Sequence, residues 1–169
     1  MTDLPDLSGL ASVAESIINQ LRQRGELLAC AESLTGGLLV GALVDVPGTS
    51  VVLAGGVVAY SADAKHRTLG VDKSLMAEQG TVDPQVAIQM ALGARAQFDA
   101  EWGLATTGVA GPGEFEGKPQ GLVYLGISGP GVERAVKLQL AGDRVAVRAG
   151  SVAGALHLLD DELRRADPK

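Results

Sequence analysis

Short apolar runs typical of buried strands alternate along this chain with segments of helical hydrophobic period, and this alternation constrains the fold more than any other feature. Residues 7–21 carry apolar side chains at three- and four-residue steps, and the apolar run 27–30 follows soon after. Further strand-like runs lie near the end of 51–60 and at 102–107, 122–127 and 132–140. Strands that alternate with helices favour parallel pairing, so the pattern predicts an α/β fold.

The last two strand-like runs are joined by the turn sequence Ser128-Gly129-Pro130-Gly131. A connection this short joins antiparallel strands, because parallel strands need a long crossover. We therefore predict a three-layer α/β/α sandwich with a mixed, mostly parallel sheet and one antiparallel hairpin. Nothing in the sequence divides the 169 residues, 46% of which are hydrophobic, so we expect one domain over 1–169.

The composition argues against several classes of protein. A net charge of −6 and an aromatic content of 3% leave neither a basic surface nor a stacking platform, so we expect no direct nucleic-acid binding. The single cysteine, Cys30, excludes an intrachain disulfide framework, and two histidines are too few to favour a metal site. The N-terminus does not resemble a signal peptide and no uncharged apolar run is long enough to span a bilayer. We expect no membrane association and a cytoplasmic protein.

Small and polar residues follow three of the predicted strands, at 31–37, 60–65 and 106–113. Ligands of open α/β sheets bind beyond the carboxyl ends of parallel strands, where such loops meet. We therefore expect one cleft, in which glycines allow the backbone to approach a ligand closely. Its candidate polar side chains are Ser33, Thr35, Tyr60, Lys65 and Thr107.

The residues alone leave other interpretations open. A serine between a strand and a helix, such as Ser33, is often a helix cap, and a lone lysine such as Lys65 usually lies in solvent. The glycines at 108–113 match neither of the common nucleotide-binding loop patterns. Spacing therefore predicts a glycine-lined cleft without fixing its chemistry.

The segment Ala31-Glu32-Ser33-Leu34-Thr35-Gly36-Gly37 resembles the A-E-S-x-T-G-G signature of the CinA C-terminal domain family. The similarity covers about residues 8–165 and continues in order through Pro47-Gly48-Thr49-Ser50, Tyr60-Ser61, Ala64-Lys65, Thr107-Gly108-Val109-Ala110-Gly111-Pro112, Lys118-Pro119-Gln120-Gly121 and Gly142-Asp143-Arg144. The acidic segment 113–117 departs from the Asp-Gly-Gly type that is more common there.

The resemblance implies a nicotinamide-nucleotide amidohydrolase, which converts nicotinamide mononucleotide to nicotinic acid mononucleotide and ammonia in pyridine nucleotide salvage. Ser33 would attack the carboxamide carbon and Lys65 would accept its proton. This role requires a neutral amine, so the lysine pKa must lie well below about 10.4. Tyr60 and Ser50 would relay or orient the proton.

The same resemblance implies a set of substrate-binding residues. Arg144 would bind the phosphate and help to lower the lysine pKa, with Arg148 as another phosphate candidate. Backbone N–H groups at the glycines would hold the oxyanion or the phosphate. The full set is Thr35, Gly36, Gly37, Ser50, Thr107, Gly108 and Arg144. We expect no metal and no cofactor, and a homo-oligomer, most simply a dimer.

Two other functions fit the same residues. One is a non-catalytic nucleotide-sensing or protein-interaction module of the CinA competence type. The other is an amidohydrolase that acts on a different small amide. An assay of ammonia release from nicotinamide mononucleotide, nicotinamide and nicotinamide riboside distinguishes the three.

Overall fold

A five-stranded mixed sheet forms the centre of the computed structural model, which describes residues 8–166. The sheet order is β2-β1-β3-β4-β5. β1 pairs in parallel with β2 and β3, whereas the β3–β4 and β4–β5 pairs are antiparallel. The strands are β1 (Leu28–Glu32), β2 (Leu53–Val58), β3 (Trp102–Gly108), β4 (Leu122–Gly129) and β5 (Val132–Gln139).

Six α-helices cover the two faces of this sheet. One face packs against α1, α2 and α6, and the other against α3, α4 and α5. Two 3-10 helices, Ser8–Leu10 and Thr49–Val51, complete the secondary structure of the described residues. The helices are α1 (Ala11–Arg24), α2 (Leu38–Val44), α3 (Ala62–Leu69), α4 (Lys73–Gln79), α5 (Pro84–Phe98) and α6 (Arg144–Arg165).

Strand β1 is buried on both sides, as its continuous run of apolar residues predicts. Leu28 and Cys30 belong to the core shared with α1, α2 and α6, whereas Ala29 and Ala31 belong to the core around α5. This alternation follows from the two-residue period of a strand. Glu32 is therefore held at the carboxyl end of a central strand, and the loop after it starts from this fixed position.

The structure confirms the predicted α/β sandwich with a mixed sheet. Helix α5 begins as its sequence indicates, with Pro84 as its first residue and the Asp83 side chain accepting the Gln85 N–H. Antiparallel pairing extends beyond the expected hairpin, because β3 also pairs antiparallel with β4. The segment between β3 and β4 contains no crossover helix, so the chain returns in the opposite direction. Leu7, in the predicted first helix, lies outside the described residues.

Among residues 8–166, every helix is too short or too polar to cross a membrane.

Helix α5 lies unusually close to the sheet because two strand positions lack a Cβ. A Cβ on Gly126 would lie 2.0 Å from the Ala87 carbonyl oxygen, and one on Gly103 would lie 2.0 Å from the Ala91 carbonyl oxygen. Both contacts are with the helix backbone, which cannot rotate away as a side chain can. The distance between α5 and the sheet is therefore set by these glycines.

We expect Gly126→Ala to lower the free energy of unfolding by about 1–3 kcal/mol, since the added methyl group must push α5 away from the sheet. Gly41→Ala is the matched control: a Cβ there meets nothing within 4 Å, and the residue lies inside α2. That variant should be neutral or stabilised by about 0.5–1 kcal/mol. Denaturant unfolding of both variants measures the difference, and equal effects would contradict the close-packing argument.

Candidate active site

The carboxyl ends of β1, β2 and β3 open into one cavity of about 470 Å³. This volume lies within the range of small-molecule sites. The three predicted loops all contribute to its wall, since Ser33, Tyr60 and Thr107 line it. The expected convergence at the end of the parallel strands is therefore present.

Ser33 is the first residue after β1, and its backbone and side chain are both held. Its N–H donates to the Thr106 carbonyl oxygen at 3.0 Å, which continues the pairing with β3. Its Oγ accepts a hydrogen bond from Lys65 Nζ at 2.9 Å. Ser33 does not cap α2, because the N-cap position is Gly37 and no side chain caps it there. The capping alternative left open by the sequence is therefore wrong.

Glu32 holds the start of α2 in place of a capping serine. The carboxylate Oε2 accepts the N–H groups of Gly37 at 3.0 Å and Leu39 at 3.1 Å, and Oε1 accepts that of Val40 at 3.0 Å. The side chain is fully buried. A carboxylate at a helix N-terminus satisfies free N–H groups and complements the helix dipole. This role of Glu32 was not predicted, although an acidic residue shortly before a helix was the available signal in the sequence.

Arg148 holds the same loop from the other side. Its Nε donates to the Leu34 carbonyl oxygen and its Nη2 to the Thr35 carbonyl oxygen, both at 2.9 Å. The Thr35 hydroxyl is hydrogen-bonded to the Thr106 hydroxyl at 2.8 Å. The loop that carries Ser33 is thus tied to α6 and to β3. These contacts make Arg148 a structural residue and not the phosphate ligand that the sequence offered as an alternative.

Lys65 is buried, with 1% of its surface exposed, which contradicts the alternative of a solvated lysine. Besides Ser33 Oγ, its Nζ donates to the Ala59 carbonyl oxygen at 2.9 Å. Within residues 8–166 no carboxylate forms an ion pair with this amine. Burial lowers the pKa of Lys65 to about 8, against an opposing effect of the Glu116 carboxylate. The pKa is lowered by burial. The expected contribution of Arg144 to this shift is absent.

Arg144 lies at the wall of the cavity, at the first position of α6. Its Nη2 donates to the Tyr60 hydroxyl at 3.0 Å and its Nη1 to the Gly111 carbonyl oxygen at 2.8 Å. The Asp143 side chain caps the helix by accepting the Ala146 N–H at 2.9 Å. The Tyr60 hydroxyl therefore contacts Arg144, and it makes no hydrogen bond to Ser33 or Lys65 in the described structure.

The remaining predicted ligands divide into two groups. Thr107 and Gly108 line the cavity, and the Thr107 hydroxyl donates to the Thr81 carbonyl oxygen at 2.8 Å. Four others do not line it: Thr35, Gly36, Gly37 and Ser50.

The structure shows what those four residues contact instead of the cavity. The N–H groups of Gly36 and Gly37 already donate to the Ser33 carbonyl oxygen and to Glu32. The Thr35 side chain is fully buried. Ser50 is exposed on the second 3-10 helix, away from the cavity wall. Glycines 36 and 37 instead adopt left-handed backbone angles, with φ of 58° and 98°.

The buried cysteine is a poor alternative nucleophile for this site. Burial raises the pKa of the Cys30 thiol, so the thiolate needed of a nucleophile is strongly disfavoured. In the described part of the chain no group of three or more His, Cys, Asp or Glu side chains is placed to hold a metal ion. A hydroxyl next to a buried amine is the nucleophilic pair that the cavity offers.

Comparison with known sequences gives matches over nearly the whole chain. The CinA C-terminal domain family matches residues 10–163. A CinA-like protein of Frankia casuarinae is 46% identical over 143 residues, which are 85% of this chain and 33% of that protein. A CinA-like protein of Gloeobacter violaceus is 44% identical over 161 residues, which are 94% of this chain and 37% of that protein. The chain thus spans about a third of the length of these curated relatives.

Comparison with solved structures agrees with the fold. The competence/damage inducible protein CihA of Agrobacterium tumefaciens superposes with a TM-score of 0.87 and 35% identity, over 97% of this chain and 99% of that one. The competence damage-inducible protein A (ComA) of Klebsiella pneumoniae superposes with a TM-score of 0.90 and 31% identity, over 93% and 98% of the two chains.

The lowered pKa of the buried amine predicts how the free energy of unfolding changes with pH. The Lys65 pKa is lowered from 10.5 to about 8 by folding, so between these pH values the unfolded chain binds a proton that the folded chain lacks. Stability of the parent protein should therefore rise relative to that of Lys65→Met as the pH rises from 8 to 10.5, by up to about 3 kcal/mol. Denaturant unfolding of both proteins across this pH range measures the difference.

Lys73→Met is the control for this experiment, because Lys73 is an exposed lysine at the start of α4. Its stability relative to the parent should show no such trend. A Lys65→Met difference that stays constant from pH 8 to 10.5 would contradict the lowered pKa.

Proposed function

Since the chain belongs to the CinA C-terminal domain family, we propose that it hydrolyses the carboxamide of nicotinamide mononucleotide, releasing nicotinic acid mononucleotide and ammonia. The observation that carries this proposal is the 2.9 Å hydrogen bond from Lys65 Nζ to Ser33 Oγ at the edge of the cavity. Amide hydrolysis needs a nucleophile, a base and a stabilised oxyanion, and the cavity offers a candidate for each.

Ser33 is the nucleophile and Lys65 the base. With Lys65 neutral, the 2.9 Å contact is made by the Ser33 hydroxyl as donor and the Nζ lone pair as acceptor. The amine accepts the hydroxyl proton as Ser33 Oγ bonds to the carboxamide carbon, which gives a tetrahedral intermediate. The amine is suited to this step because its pKa of about 8 leaves part of it unprotonated at neutral pH. Lys65 then returns the proton to the leaving nitrogen, the C–N bond breaks, and ammonia departs.

The second half of the reaction uses the same two residues. The acyl group is now an ester of Ser33, and water attacks it while Lys65 accepts a proton from that water. The ester C–O bond breaks, Ser33 Oγ regains its proton from Lys65, and the acid leaves. The net reaction consumes one water and regenerates both side chains.

The oxyanion is assigned to the backbone after the nucleophile. The Leu34 N–H donates no hydrogen bond to any residue of 8–166, and Leu34 lines the cavity. A free N–H next to the nucleophile is the usual oxyanion donor of serine hydrolases. Arg144 is the proposed phosphate ligand, since its guanidinium lines the cavity and its present contacts are with a neutral hydroxyl and a carbonyl oxygen.

We expect Ser33→Ala and Lys65→Met to lower the rate of ammonia release from nicotinamide mononucleotide by at least about 10²-fold while both remain folded. Lys65→Arg should be equally inactive, because a guanidinium stays protonated and cannot act as the base. The controls are Ser74→Ala and Lys73→Met, which change exposed residues of α4.

Parallel assays with nicotinamide and nicotinamide riboside separate this function from the alternatives. Ammonia release from another small amide alone would show that the substrate is different and that the proposed mechanism still applies. Binding of the nucleotide without release of ammonia would contradict the enzyme and favour a sensing module. Near-normal turnover by folded Ser33→Ala would exclude Ser33 as the nucleophile.

The pH dependence of kcat/KM reports the pKa of the base in the free enzyme. Because the free enzyme is active with Lys65 unprotonated, kcat/KM should rise with pH and level off above an inflection near 8. Initial rates at low substrate concentration from pH 6 to 10 measure this profile. A kcat/KM that still rises steeply at pH 10, or one that shows no inflection in this range, would contradict a buried lysine as the base.

A further inference from the structure

The 113–118 hairpin, a short loop between β3 and β4, lies on one side of the cavity and presents an exposed aromatic ring to it. Phe115 lines the cavity, yet 53% of its surface is exposed. The ring lies in the segment 113–117, between β3 and β4. In a chain with only 3% aromatic residues, a phenyl ring at the cavity wall is a feature to be explained.

The backbone of this hairpin is closely defined. The Phe115 N–H donates to the Lys118 carbonyl oxygen at 3.0 Å, and the Lys118 N–H donates back to Phe115 at 2.9 Å. The two residues between them, Glu116 and Gly117, have positive φ of 52° and 71°. This is the geometry of a two-residue hairpin turn, in which a glutamate at the first position is strained.

Side-chain contacts hold the strained turn against the loop before α5. The Glu116 carboxylate accepts the Thr81 N–H at 2.6 Å and the Thr81 hydroxyl at 3.1 Å. Lys118 Nζ donates to the carbonyl oxygens of Gln79 and Val82. Backbone strain persists where the surroundings determine it, and such places are often binding sites. The backbone that carries Phe115 is therefore held in place before any ligand arrives, which lowers the entropy cost of binding to its ring.

The charges along the wall define the ligand that would complement the ring. Glu114 and Glu116 contribute two carboxylates from the hairpin, and Arg144 contributes one guanidinium. The face of an aromatic ring also attracts positive charge. A ligand that satisfies all of these groups carries a cationic part, flat enough to stack on Phe115, and an anionic part for Arg144.

We propose that Phe115 binds a flat, positively charged aromatic ring, and that Glu114 and Glu116 favour its charge. This inference rests on the proposed function, in which the ring is the pyridinium that carries the carboxamide. The hairpin would then determine specificity: it selects the oxidised, cationic ring over a neutral, reduced one. Phe115 takes no part in bond making or breaking.

Binding is measured by calorimetry in Ser33→Ala, so that turnover does not interfere, with two probes: nicotinamide mononucleotide and its 1,4-dihydropyridine form, whose ring is neutral. In this background, Phe115→Leu should weaken binding of the cationic probe by about three- to ten-fold and leave the neutral probe nearly unchanged. Phe115→Tyr, which keeps the aromatic face, should bind both probes as Phe115 does. Glu114→Gln should weaken only the cationic probe.

Because Phe115 is half exposed, its replacement should leave the thermal unfolding temperature close to that of the parent. The inference is overturned if Phe115→Leu binds the cationic probe as tightly as the parent, or weakens both probes equally. Ammonia release is assayed separately in the protein that retains Ser33. Selective binding without ammonia release would sustain the inference and contradict the enzyme. Ammonia release with unaltered selectivity would sustain the enzyme and contradict the inference. Absence of both binding and ammonia release would overturn both.

Discussion

Burial of the Lys65 amine without a carboxylate partner is the constraint around which this site is built. A charged ammonium loses much of its hydration when it is buried, so an unpaired buried lysine either destabilises the fold or gives up its proton. Here the amine keeps two neutral acceptors, Ser33 Oγ and the Ala59 carbonyl oxygen. Neither stabilises an ammonium as a carboxylate would, which is why the pKa falls toward neutrality. The same feature that costs stability makes Lys65 the proposed base.

A base of this kind is useful only if the hydroxyl it faces stays in place, and two charged side chains fix the loop that carries that hydroxyl. Glu32 accepts N–H groups at the start of α2, while Arg148 donates to the carbonyl oxygens of Leu34 and Thr35. The carboxylate and the guanidinium therefore bind opposite polar groups of one short segment. Such a segment has little freedom to move, and a nucleophile held in this way loses little entropy in reaching its transition state.

Much of this arrangement was predictable from local patterns. The alternation of strand-like and helical segments gave the α/β class, and the polar residues after three strands indicated the cavity. The parts that local patterns did not predict depend on contacts between distant residues, and the pairing of Ser33 with Lys65 was expected only through the family resemblance. Lys65 and Ser33 are 32 positions apart, and a lone lysine on a capped helix carries no local sign of burial. Likewise, nothing near Gly36 and Gly37 shows that their N–H groups are already engaged.

The mixed pairing of the sheet also separates the residues of the proposed reaction from those of the proposed substrate recognition. Ser33 and Lys65 follow β1 and β2, which pair in parallel, and β1 is buried on both faces. The 113–118 hairpin and Arg144 follow β3 and β5, which pair antiparallel with β4. The loop between β3 and β4 needs no crossover helix, so its length and side chains can vary without disturbing the parallel strands. A change of substrate preference in this fold can therefore arise in the hairpin while the hydroxyl and its amine stay fixed.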